Sequence, residues 1–217
     1  MLTVMEAIKA RRSIRKFSPD DVPEELVEQM LEAARLAPSG TNIQPWRFVV
    51  IRDENTKREI KDICMGQKFI EEAPVVIVCY ADLDRYSRQS RRQRRQEFSD
   101  SGVTETLSGR FADPKFYASL ETAPPMPLEQ MTRSALCNAY IAIEHLILMA
   151  TALGVGTCWV GASNNTEKLN ALFGLDDNYV AAAVVPVGYP EGEVPLQRPR
   201  LALEEILLKP KIRVPVA

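Results

Sequence analysis

Two arginines flank a serine near the start of the chain, in the stretch RRSIRKF at residues 11–17. This stretch follows a predicted helix and precedes FSPDD, so we expect an extended backbone in which alternate side chains project to the same side. Arg11, Ser13 and Arg15 then place two guanidinium groups around one hydroxyl. Planar guanidinium groups pair bidentately with phosphate oxygens, so the pattern predicts a site for a phosphate monoester. The alternative is a solvated basic segment that pairs with nearby acids.

A second basic pair lies near the other end of the chain, in QRPRLALEEI at residues 197–206. Pro199 biases Arg198 towards an extended backbone, so Arg198 and Arg200 also share a face. Bringing two arginine pairs together is unfavourable unless an anion lies between them. Both pairs are therefore candidates for the same phosphate, although RPR alone is a common sequence.

The stretch PSGTNIQPW, residues 38–46, has no acid or base but is rich in amide and hydroxyl groups. Ser39 and Gly40 predict a tight backbone turn that a ligand can approach closely. Asn42 and Gln44 each carry a donor and an acceptor on one carboxamide. They suit the edge of a flat heterocycle that alternates donors and acceptors. The alternative role for these two amides is capping of the turn.

A short apolar segment with glycine near both ends, GTCWVGA at residues 156–162, is predicted to be a strand. Gly161 would allow its backbone to lie against a planar ring. Trp159 either lines a pocket or packs in the core, whereas Trp46 is expected to be a packing residue.

Taken together, these motifs resemble the nitroreductase-like family of flavoenzymes. The resemblance rests on RRSIRKF, PSGTNIQPWRF, APVVIVCYAD, GVGTCWVGA, PVGYP and RPRLALEEI, in that order. It extends from about residue 5 to residue 206, and residues 84–128 are the part that it does not account for. It implies an α+β fold, with a central mixed or antiparallel sheet flanked by helices. It also implies an intertwined homodimer with one flavin mononucleotide (FMN) in each of two sites at the subunit interface.

The resemblance also nominates the residues that bind FMN. They are Arg11, Arg12, Ser13 and Arg15 for the phosphate and ribityl chain, Pro38, Ser39, Gly40 and Asn42 from the partner subunit, Cys158, Trp159, Val160 and Gly161 along the isoalloxazine, and Arg198 and Arg200 closing on the phosphate. No side chain is expected to be catalytic and no metal is expected, because the flavin carries the chemistry.

The chain departs from the family pattern at two places near the flavin. Many members carry an acid where this chain has Val160, and many have an asparagine where it reads Gly66–Gln67. Both differences bear on how nicotinamide and substrate are seated.

The activity implied is that of an FMN-dependent oxidoreductase that takes hydride from NADH or NADPH. It would reduce nitroaromatics, quinones or similar small electron acceptors by a ping-pong mechanism. Two alternatives stay open at this point. One is different flavin chemistry on the same fold, either reductive dehalogenation or breakdown of the flavin. The other is a flavin- or nucleic-acid-binding module without turnover.

The pattern of apolar residues predicts the elements that position these motifs. The predicted helices cover residues 3–11, 23–37, 55–64, 130–153 and 165–174, and the predicted strands cover 46–53, 73–82, 156–162 and 178–190. We expect one domain over residues 1–217, with 84–128 as a variable insertion or lid over the active site. Its aromatic residues Phe111, Phe116 and Tyr117 either cap the flavin or anchor the loop. The arginine run at 88–95 is expected to be a solvated helix or lid.

Composition narrows the class of protein further. The 217 residues carry a formal charge of −2 and are 46% hydrophobic, which gives no overall case for nucleic acid or an anionic membrane surface as a partner. No signal peptide or membrane span is predicted, so we expect a cytoplasmic protein. The four cysteines are scattered and expected to be reduced and buried, and the lone His145 is expected to be a hydrogen-bonded core residue.

Overall fold

An antiparallel sheet forms the centre of the protein. The computed structural model describes residues 2–102, 113, 115, 124–194 and 196–208. Its strands are β1 Trp46–Ile51, β2 Val75–Asp82, β3 Gly156–Thr157, β4 Val160–Gly161 and β5 Tyr179–Gly188. They lie in the order β1-β2-β5-β3, with β4 also paired to β5. Because all these pairs are antiparallel, the α+β prediction is confirmed in its antiparallel form.

Helices flank the sheet and connect its strands. They are α1 Val4–Ala10, α2 Glu24–Arg35, α3 Glu54–Ile63, α4 Phe69–Glu72, α5 Arg88–Asp100, α6 Leu128–Ala152, α7 Thr166–Phe173 and α8 Leu203–Ile206. Short 3₁₀ turns cover Gly40–Asn42, Leu83–Tyr86 and Ser163–Asn165.

The helix boundaries follow from local capping chemistry. Thr3 and Glu6 form a reciprocal capping box at the start of α1, in which each side chain accepts the other residue's backbone N–H. Helix α2 begins directly after Pro23, as the sequence predicts, because the fixed φ of proline suits the start of a helix. At α3, the Asp53 carboxylate accepts the N–H of Thr56 at 2.8 Å.

Strand β2 is buried on both faces, as its continuous apolar run predicts. Val75 and Ile77 pack into the core layer formed with α2 and α6. Val76 and Val78 pack into the opposite layer, formed with α3, α4 and α7. Successive side chains of a strand point to opposite faces, so β2 divides the core into two layers.

Helix α6 is apolar on most of its surface, but only one face is buried. The buried face carries Ala135, Ala139, Ala142, Ile143, Leu146, Ile147 and Ala150. Tyr140 and Ile141 lie exposed on the other side. The length and mean hydropathy of 1.4 would suit a membrane span, yet the buried face packs as the core helix of a soluble fold does. The prediction that His145 is a core residue is wrong. Its ring is exposed, with Nδ1 2.8 Å from the Ile141 carbonyl oxygen.

The segment predicted as one strand over 156–162 is two short strands, β3 and β4. Both pair with β5 in the same register, which places Cys158 opposite Pro186. Proline has no N–H to donate, so the ladder is interrupted there. The Cys158 N–H still donates to the Pro186 oxygen at 3.3 Å.

The region predicted as an insertion, 84–128, begins with the exposed Asp84 and reaches the core at Tyr86. Tyr86 is buried and belongs to the same core layer as α2 and α6. Helix α5 is largely exposed, as expected for its arginine run, but Arg94 is buried and its Nη1 donates to the Arg85 oxygen at 2.8 Å. Burial and the nearby charges of Arg85 and Arg91 lower the pKa of Arg94 to about 10. The aromatic residues Phe111, Phe116 and Tyr117 lie outside the described residues.

All four cysteines are free thiols. Cys64, Cys79 and Cys158 are buried, as predicted. The prediction is wrong for Cys137, which lies exposed on α6 because its position falls outside the buried stripe of that helix.

Candidate functional site

The N-terminal basic segment is extended and pinned at both ends, as the sequence predicts. Ser13 forms a parallel bridge with Thr157 of β3, and the Ile14 N–H donates to the Thr157 oxygen at 2.8 Å. Phe17 forms an antiparallel bridge with Pro190, just beyond β5. The segment therefore lies along the end of the sheet with its backbone held in place.

Ile14 anchors this segment in the core. It is buried, whereas Ser13 is partly exposed and Arg15 is exposed. A Cβ at Gly156 would lie 2.8 Å from Ile14 Cγ1, so only glycine permits this approach. The alternation places the side chains beside Ile14 away from the core.

The charges of Arg11 and Arg15 both act on the Cys158 thiol, which follows the bridged residue Thr157. Burial raises the pKa of the Cys158 thiol, and the positive charges of Arg15 and Arg11 oppose that rise. The Arg15 guanidinium carbon also lies 5.7 Å from the centre of the Phe69 ring, a cation–π distance. The segment that carries Arg11 and Arg15 therefore lies beside residues 156–161, which the sequence analysis also nominates for cofactor binding.

Arg12 points in a different direction. Its Nη1 donates to the carbonyl oxygens of Lys9 at 2.7 Å and Arg11 at 2.8 Å, which caps the end of α1.

A cavity of about 290 Å³ lies beside the N-terminal segment, lined by residues 13–16, 190–191 and 193. Its lining carries two cations, Arg15 and Lys16, and two acids, Glu191 and Glu193, so the cavity has no net positive charge of its own.

The stretch 38–46 forms a tight turn, but glycine is not the residue in the unusual conformation. Thr41, Asn42 and Gln44 have φ values of 52°, 52° and 47°, in the left-handed region. Such backbone is unfavourable for residues with a Cβ and concentrates at functional sites. Inside the turn, the Gln44 N–H donates to Ser39 Oγ at 3.0 Å. The neighbouring Pro38 and Gly40 are exposed.

The interrupted strand exposes a glycine surface. Nothing lies within 4 Å of the position where a Cβ on Gly161 would sit, whereas Val160 is buried. Trp159 is half-buried and meets Tyr140 edge-on, with ring centres 5.5 Å apart. Trp46 is buried in the core, as predicted.

We expect Gly161→Val to weaken FMN binding without unfolding the apoprotein. The added side chain would occupy the open surface, and overpacking of roughly 1–3 kcal/mol raises the dissociation constant about tenfold or more. Flavin titration and urea unfolding measure the two quantities separately. Equal FMN affinity in variant and wild type would show that no ligand lies against Gly161, and Gly161→Ala should give a smaller change in the same direction.

The C-terminal pair is not brought to the N-terminal pair by any described contact. Arg198 and Arg200 are exposed, and Arg200 Nη1 donates to the oxygens of Arg198 and Pro199 at 3.1 and 3.2 Å. Within the part of the chain that the structure describes, residues 198–205 hydrogen-bond to one another, as between the Glu205 N–H and the Ala202 oxygen at 3.1 Å. Closure of these two arginines on the phosphate stays a prediction.

The Gly66–Gln67 departure lies at the end of α3. Met65 and Gly66 are both left-handed, with φ values of 61° and 68°. Gln67 Nε2 donates to the Cys64 oxygen at 3.0 Å, so its carboxamide is used to cap α3.

Asn138 is a residue that sequence reasoning missed. Its Oδ1 accepts the Gly40 N–H at 3.1 Å, across 98 positions of sequence. The signal available in the sequence was a carboxamide within an otherwise apolar helix. That signal does not say which turn the side chain would meet.

The residues present fit a phosphorylated flat cofactor such as FMN. Arg11 and Arg15 supply cationic donors for a phosphate, and Gly161 leaves room for a ring. The turn beginning at Ser39 carries further amide groups, which the resemblance assigns to the flavin site of the partner subunit. Across the described ranges, no three His, Cys, Asp or Glu side chains gather as metal ligands.

Comparison with known proteins agrees with this fold. The profile of the nitroreductase family matches residues 8–189. An NADH dehydrogenase from Thermus thermophilus is 36% identical over 208 residues, covering 96% of each chain. An FMN reductase [NAD(P)H] from Bacillus subtilis is 25% identical over 209 residues, covering 95% of this chain and 73% of that protein. A nitroreductase structure in complex with FMN, from Exiguobacterium sibiricum, has a TM-score of 0.78 and 25% identity, covering 95% and 97% of the two chains. The chain belongs to the nitroreductase family.

Proposed function

We propose that this protein uses NADH or NADPH to reduce nitroaromatics, quinones or similar acceptors through bound FMN. The observation that carries the proposal is that the basic segment 11–15 is bridged to β3 at Thr157, a few residues before the open surface at Gly161. Family membership and the FMN-linked relatives support an FMN-dependent NAD(P)H oxidoreductase. The class of electron acceptor and the ping-pong order of the two substrates are the parts of the proposal that go beyond family membership.

The chain's own groups bind and orient the cofactor. Arg11 and Arg15 would hold its phosphate through charge-assisted hydrogen bonds, with the Ser13 hydroxyl between them. Cys158, Trp159, Val160 and Gly161 would line the ring. When bound, FMN takes hydride from the nicotinamide and passes electrons to the acceptor, so both substrates use one place in turn.

The proposed homodimer accounts for apolar surface that a single chain leaves open. On α1, Val4 and Met5 are 75% and 59% exposed. On α6, Tyr140 and Ile141 are also exposed, and the C-terminal segment 196–208 carries further exposed leucines. Apolar surface of this extent is typical of an interface. We propose that a second copy of the chain covers this apolar surface, and that the 38–42 turn of that second copy contacts the flavin. We also propose that the protein is cytoplasmic.

The test follows the flavin directly. Purified protein should carry FMN or take it up, and its visible absorbance should bleach with NADH or NADPH under anaerobic conditions. A quinone or a nitroaromatic should then restore the absorbance. Protein that stays colourless after incubation with FMN would overturn the proposal.

The same experiment separates the alternative activities. Recovery of intact FMN after many turnovers would exclude breakdown of the flavin. Bound FMN that no nicotinamide can bleach would favour a binding module without turnover. Release of halide from a halogenated aromatic, with no reduction of quinones, would favour reductive dehalogenation.

A further inference from the structure

The turn at 39–44 needs support from outside itself. Thr41, Asn42 and Gln44 are all left-handed, which is unfavourable for residues that carry a Cβ. Internal hydrogen bonds from the N–H groups of Asn42 and Gln44 close the turn on Ser39. These bonds define the shape of the turn but do not fix its orientation relative to the rest of the fold.

Hydrogen bonds to several elements attach the turn to the body of the protein, including one from Arg47 Nη1 of β1 to the Gln44 oxygen at 3.2 Å. The Gly40 N–H donates to Asn138 Oδ1 at 3.1 Å, and Arg85 Nε donates to the Ile43 oxygen at 3.0 Å. Asn138 comes from the core helix α6, and Arg85 comes from the 3₁₀ turn that precedes α5. The two ends of the turn are therefore attached to two different elements.

The Asn138 carboxamide is itself held in one orientation. Its Nδ2 donates to the Ser134 oxygen at 2.9 Å and to the Tyr86 hydroxyl at 3.1 Å. Burial raises the pKa of the Tyr86 phenol, so its oxygen is neutral and accepts this bond. Both amide protons are used, which leaves Oδ1 facing Gly40.

We propose that Asn138 is a positioning residue for the flavin. It holds the strained turn in the orientation in which Ser39, Gly40 and Asn42 meet the cofactor, and Tyr86 fixes the Asn138 amide. The inference rests on the proposed function, since it requires that the turn contacts FMN. It also links the turn to the segment from which α5 begins, because Tyr86 ends the preceding 3₁₀ turn.

The test replaces the carboxamide by an alkyl group of similar size. Asn138→Leu should raise the FMN dissociation constant about tenfold, the value of one hydrogen bond that orders the binding turn. Asn55→Leu is the matched control, because it makes the same change on the exposed face of α3, where the Asn55 oxygen accepts from Arg58 at 3.1 Å. The visible circular dichroism of bound FMN should change in Asn138→Leu and not in the control.

Two further variants identify the groups responsible. Asn138→Asp keeps an oxygen for the Gly40 N–H, so its FMN affinity should lie between those of wild type and Asn138→Leu. Tyr86→Phe should reproduce part of the Asn138→Leu effect, because it removes the acceptor that orients the amide. Wild-type FMN affinity and flavin spectrum in Asn138→Leu would overturn the inference while leaving the proposed function intact. If the wild type itself binds no FMN, the proposed function fails first.

Discussion

Arg15→Ala is expected to raise the FMN dissociation constant by about ten- to a hundredfold, because a charge-assisted hydrogen bond contributes roughly 1.5–3 kcal/mol. Arg15 lies exposed beside Cys158 at the end of the sheet, and Ile14 rather than Arg15 anchors the segment. The loss should therefore fall on the ligand. Fluorescence titration of FMN measures the effect, since free and bound flavin differ in emission.

The apoprotein should remain folded in this variant. The cation–π contact between Arg15 and the Phe69 ring, which the substitution removes, contributes only about 0.5–1 kcal/mol at an exposed site. Arg58→Ala is a matched control, because Arg58 is an exposed arginine on α3 with one weak ion pair to Glu71 at 3.8 Å. Arg200→Ala applies the same test to the C-terminal pair. FMN retention equal to wild type in the Arg15 or Arg200 variant would show that the guanidinium group does not hold the phosphate.

Gly156→Ala is expected to disturb the same site from the buried side of the N-terminal segment, where Ile14 packs against Gly156. The added Cβ would lie 2.8 Å from Ile14 Cγ1 and 3.1 Å from Ile14 Cγ2. A β-branched side chain cannot rotate away from such contacts easily. The segment that carries Arg11 and Arg15 must therefore shift, at an overpacking cost of roughly 1–3 kcal/mol. Both apoprotein stability and FMN affinity should fall, as measured by urea unfolding and flavin titration.

A double-mutant cycle tests the physical cause. Ile14→Ala removes both γ carbons, so Gly156→Ala should cost less in that background than in the wild type. Gly161→Ala is the control for apoprotein stability alone, because nothing lies within 4 Å of its added Cβ. Equal costs of Gly156→Ala in both backgrounds would mean that Ile14 is not the obstacle.

Much of the secondary structure could be predicted from local patterns. The start of α2 after Pro23 and the fully buried β2 are confirmed, because proline geometry and a continuous apolar run act within a few residues. The extended backbone predicted for 11–17 is also present, with Ile14 buried and Arg15 exposed, whereas the shared phosphate role of Arg11 and Arg15 stays a prediction.

The errors arose where a second part of the chain decides the outcome. The strand at 156–162 is interrupted because Pro186 lies opposite Cys158. His145 is exposed because only one face of α6 meets the sheet and α2. The unusual backbone of the turn falls on Thr41, Asn42 and Gln44 rather than on Gly40. None of these three outcomes can be predicted from a single short window of sequence.

The sequence by itself determined the family, most of the longer helices and strands, and the residue types that suit a phosphorylated flavin. It could do so because capping, alternation and motif spacing are short-range properties of the chain. Tertiary structure alone decided that Gly156 admits Ile14 and that Asn138 reaches Gly40 across 98 positions. Those contacts join residues that are far apart in sequence. They form only when the sheet, α6 and the N-terminal segment pack together in the folded chain.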